Sequence, residues 1–89
     1  MIVVAYDISD DRRRNHVVKI LEKAGVRVNY SVFECMLTDA QYEKLRNDIL
    51  CELNLKKDTV AYYPICVDCY TKIVYQPASH RTYEKVSVI

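Results

Sequence analysis

The chain has 89 residues, of which 51% are hydrophobic and 28% are charged, and its formal net charge is +1 at pH 7. This length fits one domain, the composition excludes a disordered tail, and the near-neutral charge means that any basic surface must come from local clustering. The apolar runs are shorter than the roughly 18–20 residues of a membrane span, and residues 1–7 lack the pattern of a signal peptide, so we expect a cytoplasmic protein with no membrane partner.

The first predicted element is a strand over Ile2–Tyr6, a continuous apolar run that is typical of a central strand buried on both faces. A helix follows from about Arg12, and Ser9 or Asp10 is suited to cap it. Gly25 is predicted to end this helix in a left-handed conformation. The predicted apolar face of the helix consists of Val17, Ile20, Leu21 and Ala24.

The stretch "VRVNYSVFECML", residues 26–37, is extended in character but changes its periodicity part-way. The apolar positions of its first half are Val26, Val28, Tyr30 and Val32, and those of its second half are Phe33, Cys35 and Leu37. A strand cannot change its buried face without a bulge, a bend or a tight reversal. We therefore predict such a break near Ser31–Val32.

Four further elements are predicted in the second half of the chain. Thr38 or Asp39 caps a second helix, and residues 59–66 and 70–76 form two strands joined by a short turn. Pro64 indicates that the first of these strands lies at an edge or carries a bulge. A polar connector then leads to a short strand in residues 83–89. The predicted apolar face of the second helix consists of Tyr42, Leu45, Ile49 and Leu53.

This order of elements predicts an α+β fold, a ferredoxin-like βαββαβ sandwich with two helices on one face of an antiparallel sheet and an extra C-terminal strand. We expect residues 1–89 to form a single domain. The uncovered sheet face and the spare strand predict a homodimer, in which residues from about 78 to 89 complete a sheet across the interface.

Asp7 comes directly after the first strand, so its side chain is expected at the carboxyl end of a rigid central element. Ordinary turn or cap chemistry would account for an aspartate before Ser-Asp-Asp. The alternative is a Mg²⁺ ligand, because Mg²⁺ takes one or two carboxylates together with substrate phosphate. One aspartate is a poor site, whereas two Asp7 side chains facing each other across a two-fold axis would be adequate.

A basic run follows at the start of the first helix. Arg12, Arg13 and Arg14 would either line a solvated helix face or pair with phosphate oxygens, for which the guanidinium fork is well suited. Arg27, at the start of the next strand, is expected on the same side. Histidine can act as a general base, which makes His16 a candidate, but a histidine on a basic helix is more often simply exposed.

The four cysteines offer one motif, "CVDC", in which Cys66 and Cys69 have redox or zinc spacing. Zinc would need two more ligands, and Cys35 and Cys51 do not form a matching second pair. A thioredoxin-like motif would precede a helix, whereas this pair is predicted to join two strands. We therefore expect a structural or incidental role.

The segment "VVAYDISDDRRRNHVVKILEKAGVRVNYSVFEC" closely resembles the N-terminal half of the small CRISPR-associated endoribonucleases, the second universal CRISPR-associated protein. The hallmarks are "YDIS", the basic helix start, "G-x-R-V" and "YSVFEC", and "YYPIC-x-x-C" followed by "KI" is also similar to this family. The resemblance implies a ferredoxin-like fold, a symmetric dimer, and a divalent metal, expected to be Mg²⁺, held between paired aspartates at Asp7. It implies supporting roles for Tyr6, Arg14, Arg27 and Phe33.

The same resemblance implies a CRISPR adaptation protein that cuts single-stranded RNA or double-stranded DNA, binds duplex DNA and bridges the integrase subunits during spacer acquisition. Two alternatives remain open from the sequence. One is a non-catalytic DNA-binding scaffold of the integration complex, and the other is a related toxin-type ribonuclease on the same fold.

Overall fold

A computed structural model describes residues 1–74 and 76 of the chain. Its elements, in chain order, are β1 (Ile2–Asp7), α1 (Asp11–Ala24), β2 (Gly25–Asn29), β3 (Val32–Cys35), α2 (Asp39–Leu50), β4 (Thr59–Pro64) and α3 (Val67–Thr71). Strand pairing is antiparallel throughout, in the order β2-β3-β1-β4. The predicted α+β class is confirmed: two main helices accompany a four-stranded antiparallel sheet whose strand order is that of a ferredoxin-like fold.

The core lies between the helices and one face of the sheet. Alternate residues of β1 point into it, because side chains of a strand project to opposite faces. Phe33 of β3, together with Val17 and Leu21 of α1, is fully buried there. The buried apolar residues are Ile2, Val4, Tyr6, Ile8, Val17, Leu21, Phe33, Cys35, Leu45 and Ile49.

The opposite face of the sheet carries apolar side chains that the helices do not cover. Val3 and Ala5 of β1 are only partly buried, and Tyr63, which lies opposite Val3 on β4, is 54% exposed. β1 is thus central, as predicted, but among the described residues only one of its faces is fully buried. An apolar sheet face of this kind is a candidate for covering by a partner.

The predicted break after the second strand is confirmed as a tight reversal. β2 ends at Asn29, a turn occupies residues 30–31, and β3 begins at Val32, where the two strands pair with a register shift between Arg27 and Asn29. Because the chain reverses here, Phe33 and Cys35 enter the core although they have the opposite parity to the apolar residues of β2.

The predicted left-handed end of α1 is wrong. Gly25 has φ −168° and ψ −157°, which is extended backbone, and it begins β2 directly. The glycine is required by space: a Cβ there would lie 2.2 Å from the Glu34 carbonyl oxygen and 2.6 Å from the Cys35 Sγ. The absence of a side chain therefore lets β2 pack closely against β3.

Both main helices begin with a side-chain cap. Asp10 caps α1 by accepting a hydrogen bond from the Arg13 N–H at 2.9 Å, and this bond lowers the pKa of the Asp10 carboxyl. Thr38 caps α2 in a reciprocal capping box with Gln41. The predicted caps are therefore those found in the structure.

The predicted strand over residues 70–76 is wrong in the described part. Residues 67–71 form the short helix α3, residue 72 is a turn, and no strand is present at 73–74 or 76. Pro64 ends β4, which is the outer strand of the described sheet, as its proline indicated. The predicted connector at about 78–89 and the strand at 83–89 lie outside the described residues.

Candidate functional site

Asp7 is the last residue of β1, and its side chain points away from the helices. Tyr6 before it is buried in the core, whereas Asp7 is exposed and lies opposite Thr59 of β4. Among the described residues, the Asp7 carboxylate has no hydrogen bond or ion pair. The sequence thus places an accessible acidic group at the end of a strand held on both sides by its neighbours.

A shallow pocket of about 380 Å³ opens beside Asp7. It gathers three of the predicted site residues, Tyr6, Arg14 and Arg27, around the carboxylate. Two of its remaining lining residues, Tyr30 and Ser31, belong to the β2–β3 turn, and the last is Ile8. The hairpin reversal is therefore what closes one side of this pocket.

Arg27 is fixed in the pocket by its neighbours. Its guanidinium Nη2 donates to the Tyr6 hydroxyl at 3.0 Å and to the Tyr30 carbonyl at 2.9 Å, and the Tyr6 hydroxyl donates to the same carbonyl at 2.7 Å. The guanidinium also lies over the Phe33 ring, 5.6 Å from its centroid. The Phe33 ring thus packs against the Arg27 guanidinium, and the hydrogen bonds to Tyr6 and Tyr30 fix the orientation of that guanidinium.

Arg14 is held against the loop that follows β1. Its Nη1 donates to the carbonyls of Ile8 and Ser9 at 3.1 and 3.3 Å, and its Nη2 pairs with Asp11. These bonds place the guanidinium within the pocket lining, where it brings positive charge to the side of Asp7.

The three arginines of the basic run have different environments. Arg13 turns toward the start of β4 and forms a two-pronged ion pair with Asp58, with distances of 2.7 and 3.1 Å. The Asp58 carboxylate is fully buried and also accepts the Asn54 N–H at 2.8 Å. Arg12 is exposed, and within the described residues it makes no ion pair. Only Arg14 of this run reaches the pocket.

His16 lies outside the pocket. Its Nδ1 is 2.8 Å from the Glu52 carboxylate, in a partly exposed contact between α1 and the chain after α2. His16 is therefore not among the residues that line the pocket beside Asp7.

The donor set around Asp7 suits a hard cation only if a second copy contributes to it. Carboxylate oxygen is a ligand that Mg²⁺ prefers, and Asp7 offers it at an exposed position. The described residues contain no cluster of three or more His, Cys, Asp or Glu side chains able to hold a metal ion. A single chain would therefore supply one carboxylate, and a second Asp7 would complete the protein's share of a Mg²⁺ site.

Comparison with known proteins decides the family. A family model described as CRISPR associated protein Cas2 matches residues 1–73. This chain belongs to the Cas2 family. The match includes every residue of the pocket beside Asp7 and ends just after α3.

Curated relatives and solved structures agree with this assignment. The "CRISPR-associated endoribonuclease Cas2 3" of Synechocystis is 37% identical over 73 residues, 82% of this chain and 79% of the relative. The "CRISPR-associated endoribonuclease Cas2 2" of the same organism is 46% identical over 68 residues, 71% of this chain and 69% of the relative.

Two crystal structures are similar to this chain. That of Streptococcus pyogenes Cas2 has a TM-score of 0.75 at 25% identity, covering 83% of this chain and 95% of that one. That of a hypothetical protein from Thermus thermophilus has a TM-score of 0.71 at 42% identity, covering 73% and 79% of the two chains. In the part of this chain that the structure describes, no helix has the length and apolar character of a membrane span.

Three residues of this region were not singled out from the sequence. The sequence pattern placed Tyr30 among the apolar positions of the strand and Ser31 at the chain reversal, although the Tyr30 carbonyl accepts hydrogen bonds from both Tyr6 and Arg27. Asp58 was not noticed as the partner of Arg13. The signal for the first two was present, because a tight turn that follows a strand carrying Arg27 must lie beside that arginine.

Proposed function

We propose that this Cas2 family chain is a metal-dependent endonuclease acting on RNA or duplex DNA, with a Mg²⁺ site built from the Asp7 carboxylates of two copies. The observation that carries the proposal is the exposed Asp7 carboxylate, without a partner among the described residues, in a pocket lined by Arg14 and Arg27. The curated relatives named as endoribonucleases support the reaction class, hydrolysis of a phosphodiester.

The uncovered face of the sheet supports the homodimer. Asp7 has the same parity on β1 as Val3 and Ala5, so all three lie on the face away from the helices. Tyr63 extends that apolar surface onto β4. Two copies that pack these faces together about a two-fold axis would bury the apolar surface and bring both Asp7 side chains to one interface.

The chain's own residues would then position the substrate. The Nη2 of Arg27 donates hydrogen bonds to the Tyr6 hydroxyl and the Tyr30 carbonyl. Because a guanidinium has five N–H donors, its other N–H groups remain available to bind a phosphate oxygen. Asp7 of each copy would hold Mg²⁺, which when bound supplies a more acidic water and stabilises charge on the phosphate. The pocket is shallow and beside backbone-binding arginines, so we expect little discrimination between bases.

Cleavage of labelled single-stranded RNA and duplex DNA, with and without Mg²⁺, tests the proposal. We expect cleavage to require Mg²⁺ and to fall by about 100-fold or more in Asp7→Asn, because the metal contributes several kcal/mol to the stabilisation of the transition state. Asp39→Asn removes another exposed carboxylate, at the start of α2, and should leave the rate unchanged. Equal cleavage by wild type and Asp7→Asn would assign the activity to a contaminant and reject the proposal.

A second function, duplex binding that bridges the integrase subunits, is favoured by the environment of Arg12. This side chain is exposed at the start of α1 and makes no ion pair within the described residues, so its charge remains available to a phosphate backbone. We expect Arg12→Glu to weaken duplex binding and spacer acquisition, and binding to fall steeply as salt rises. Lys56→Glu is the matched charge reversal on an exposed loop.

Asp7→Asn separates the two functions. If spacer acquisition survives in Asp7→Asn, bridging does not need the nuclease centre. Its loss in a variant that still folds and assembles would show that the scaffold role depends on the same carboxylate. A flat response of duplex affinity to salt would contradict docking on a basic surface.

A further inference from the structure

The cysteine pair at the end of β4 has a local structure that the sequence did not indicate. Cys66 directly precedes α3, and Cys69 lies inside that helix, so the pair does not join two strands. The Cys69 N–H donates to the Cys66 Sγ at 3.4 Å, so the two residues are in direct contact. The objection to a dithiol motif, that no helix follows it, is thereby removed.

The segment that carries the pair is fastened to the start of the sheet. The Ile65 N–H donates to the Met1 carbonyl at 2.7 Å, and the Met1 ammonium donates to the Ile65 carbonyl at 3.1 Å. Cys66 therefore follows a residue that is held from both of its backbone groups. These two hydrogen bonds hold the backbone immediately before Cys66, and Cys69 lies one helical turn further along the chain.

The two other cysteines of the chain, Cys35 and Cys51, serve as internal controls for the reactivity of the pair. Cys66, Cys69 and Cys51 are exposed, whereas Cys35 is buried in the core. Burial, together with the charge of Glu34, raises the pKa of the Cys35 thiol to about 11, so this thiol is protonated near neutral pH and inaccessible to reagents. Cys51 is a single exposed thiol at the end of α2.

The two thiols of the pair are not equivalent. The hydrogen bonds that Cys66 accepts, first from the Cys69 N–H and then from the Cys69 thiol, lower the pKa of Cys66. The pKa of Cys69 is raised, because its thiol donates to Cys66 and lies beside the charge that develops there. This asymmetry gives an attacking thiolate at Cys66 and a resolving thiol at Cys69.

We propose that Cys66 and Cys69 form a redox-active dithiol that closes to an intramolecular disulfide by exchange with low-molecular-weight disulfides. The Cys66 thiolate attacks one sulfur of the disulfide, which forms a mixed disulfide and releases one thiolate. Cys69 then loses its proton to water and attacks the Cys66 Sγ, which releases the second thiolate. The protein dithiol is oxidised by two electrons, and the small disulfide is reduced to two thiols.

The pair is separate from the proposed nuclease centre. Pro64, two residues before Cys66, lies opposite Ile2 at one end of β1, and Thr59 lies opposite Asp7 at the other end. The proposal therefore does not rest on the proposed function, and failure of one leaves the other standing. A zinc site is the competing use of this motif, but zinc takes four ligands, and the described residues of one chain contain no group of three candidate metal ligands, so zinc would need donors from a second molecule.

Exposure of the purified full-length chain to oxidised glutathione, followed by peptide mapping, tests the proposal. We expect a 66–69 disulfide in the wild type, and a single glutathione adduct trapped at Cys66 in Cys69→Ser. Cys51→Ser is the matched control and should leave formation of the 66–69 disulfide unchanged. Adducts on wild-type Cys66 or Cys69 that never resolve to the 66–69 linkage would overturn the proposal, as would stoichiometric zinc held by the two thiols.

Alkylation of the unmodified chain gives a second measurement that needs no substitution. With limiting iodoacetamide at pH 7, we expect Cys66 to be labelled several-fold faster than Cys51, and Cys35 to remain protected until the chain is denatured. The excess rate at Cys66 should disappear after oxidation and return after reduction. Equal rates at Cys66 and Cys51 would show that the pair has no special reactivity and would reject the proposal.

Discussion

Asp58 connects α1 with the loop between α2 and β4. Its carboxylate is buried, binds the Arg13 guanidinium of α1 through both oxygens, and accepts the Asn54 N–H from the loop after α2. Asp58 itself stands immediately before β4. A carboxylate in this position is stabilising only while it is ionised and paired, since an unpartnered buried charge is costly.

Asp58→Asn is expected to lower the thermal midpoint at neutral pH because it removes both ionic contacts with Arg13. The side-chain hydrogen bond from Arg13 is the main cause that lowers the pKa of Asp58. A lowered folded-state pKa gives stability that is fully present above the unfolded value of about 3.9 and is lost as the pH falls toward the folded value. The difference between wild type and Asp58→Asn should therefore narrow below about pH 4.

Thermal unfolding followed by circular dichroism between neutral and acidic pH measures this difference. Asp39→Asn, at an exposed position, controls for the loss of a negative charge. If the difference in thermal midpoint between wild type and Asp58→Asn became larger at low pH, the assigned ion pair would be contradicted.

At the scale of single residues, the sequence predicted where charged side chains lie better than it predicted which residues they pair with. A run of three arginines is equally compatible with phosphate binding and with internal pairing, and the partner of Arg13 lies 45 positions away. Asp7 was predictable because a polar residue that ends a buried strand must emerge at the rim of the sheet. The hydrogen bond from Arg27 to the Tyr30 carbonyl depends on the conformation of the turn, and the sequence pattern does not specify that conformation.

At the scale of elements, Gly25 shows how two strands can depend on a missing side chain. Gly25→Ala places a methyl group against backbone and sulfur atoms of β3 that cannot move freely. Overpacking of this kind typically costs about 1–3 kcal/mol, so we expect Gly25→Ala to lower the free energy of unfolding by about 2 kcal/mol.

Urea denaturation measures the loss of unfolding free energy in Gly25→Ala. The slope of the transition should stay as in the wild type, which checks that both variants unfold in the same way. Cys35→Ala in the same chain removes the side chain that a methyl group at residue 25 would meet at 2.6 Å. Gly25→Ala should therefore cost less in the Cys35→Ala background than in the wild type, although Cys35→Ala itself lowers the stability because Cys35 is buried in the core. An unchanged midpoint in Gly25→Ala would show that β2 and β3 separate readily.

The elements that the sequence predicted well are those with a strong local signal. The change of apolar parity forced a reversal between β2 and β3, and residues that can cap a helix marked the starts of α1 and α2. α3 was missed because "VDCYT" is only five residues long, and because Val and Tyr favour strands in isolation. A single turn of helix has too few positions for any periodicity to appear.

At the scale of the whole molecule, the open sheet face should control both assembly and activity. Tyr63→Glu introduces a charge into the apolar surface proposed for the dimer, and we expect it to shift the chain toward the monomer and to reduce Mg²⁺-dependent cleavage in parallel. Leu55→Glu, at a 74% exposed position in the loop after α2, should affect neither.

Light scattering after size-exclusion chromatography, combined with the cleavage assay, measures the two effects together. Full cleavage by a monomeric Tyr63→Glu variant would contradict a site shared between two copies. The fold class itself was accessible from the order of the elements, whereas the second copy proposed to cover the open face cannot be identified from contacts within one chain.

The pairing of β1 has a consequence for synthesis on the ribosome. β1 is made before β4, and one of its edges pairs with β4 up to the contact between Ile2 and Pro64, so this edge stays unpaired until residue 64 has left the exit tunnel. The nascent chain therefore exposes one unpaired edge of an apolar strand until β4 is available, and closure of the sheet is late and non-local. We expect ribosome-bound fragments that stop before residue 59 to recruit chaperones and to resist refolding after release.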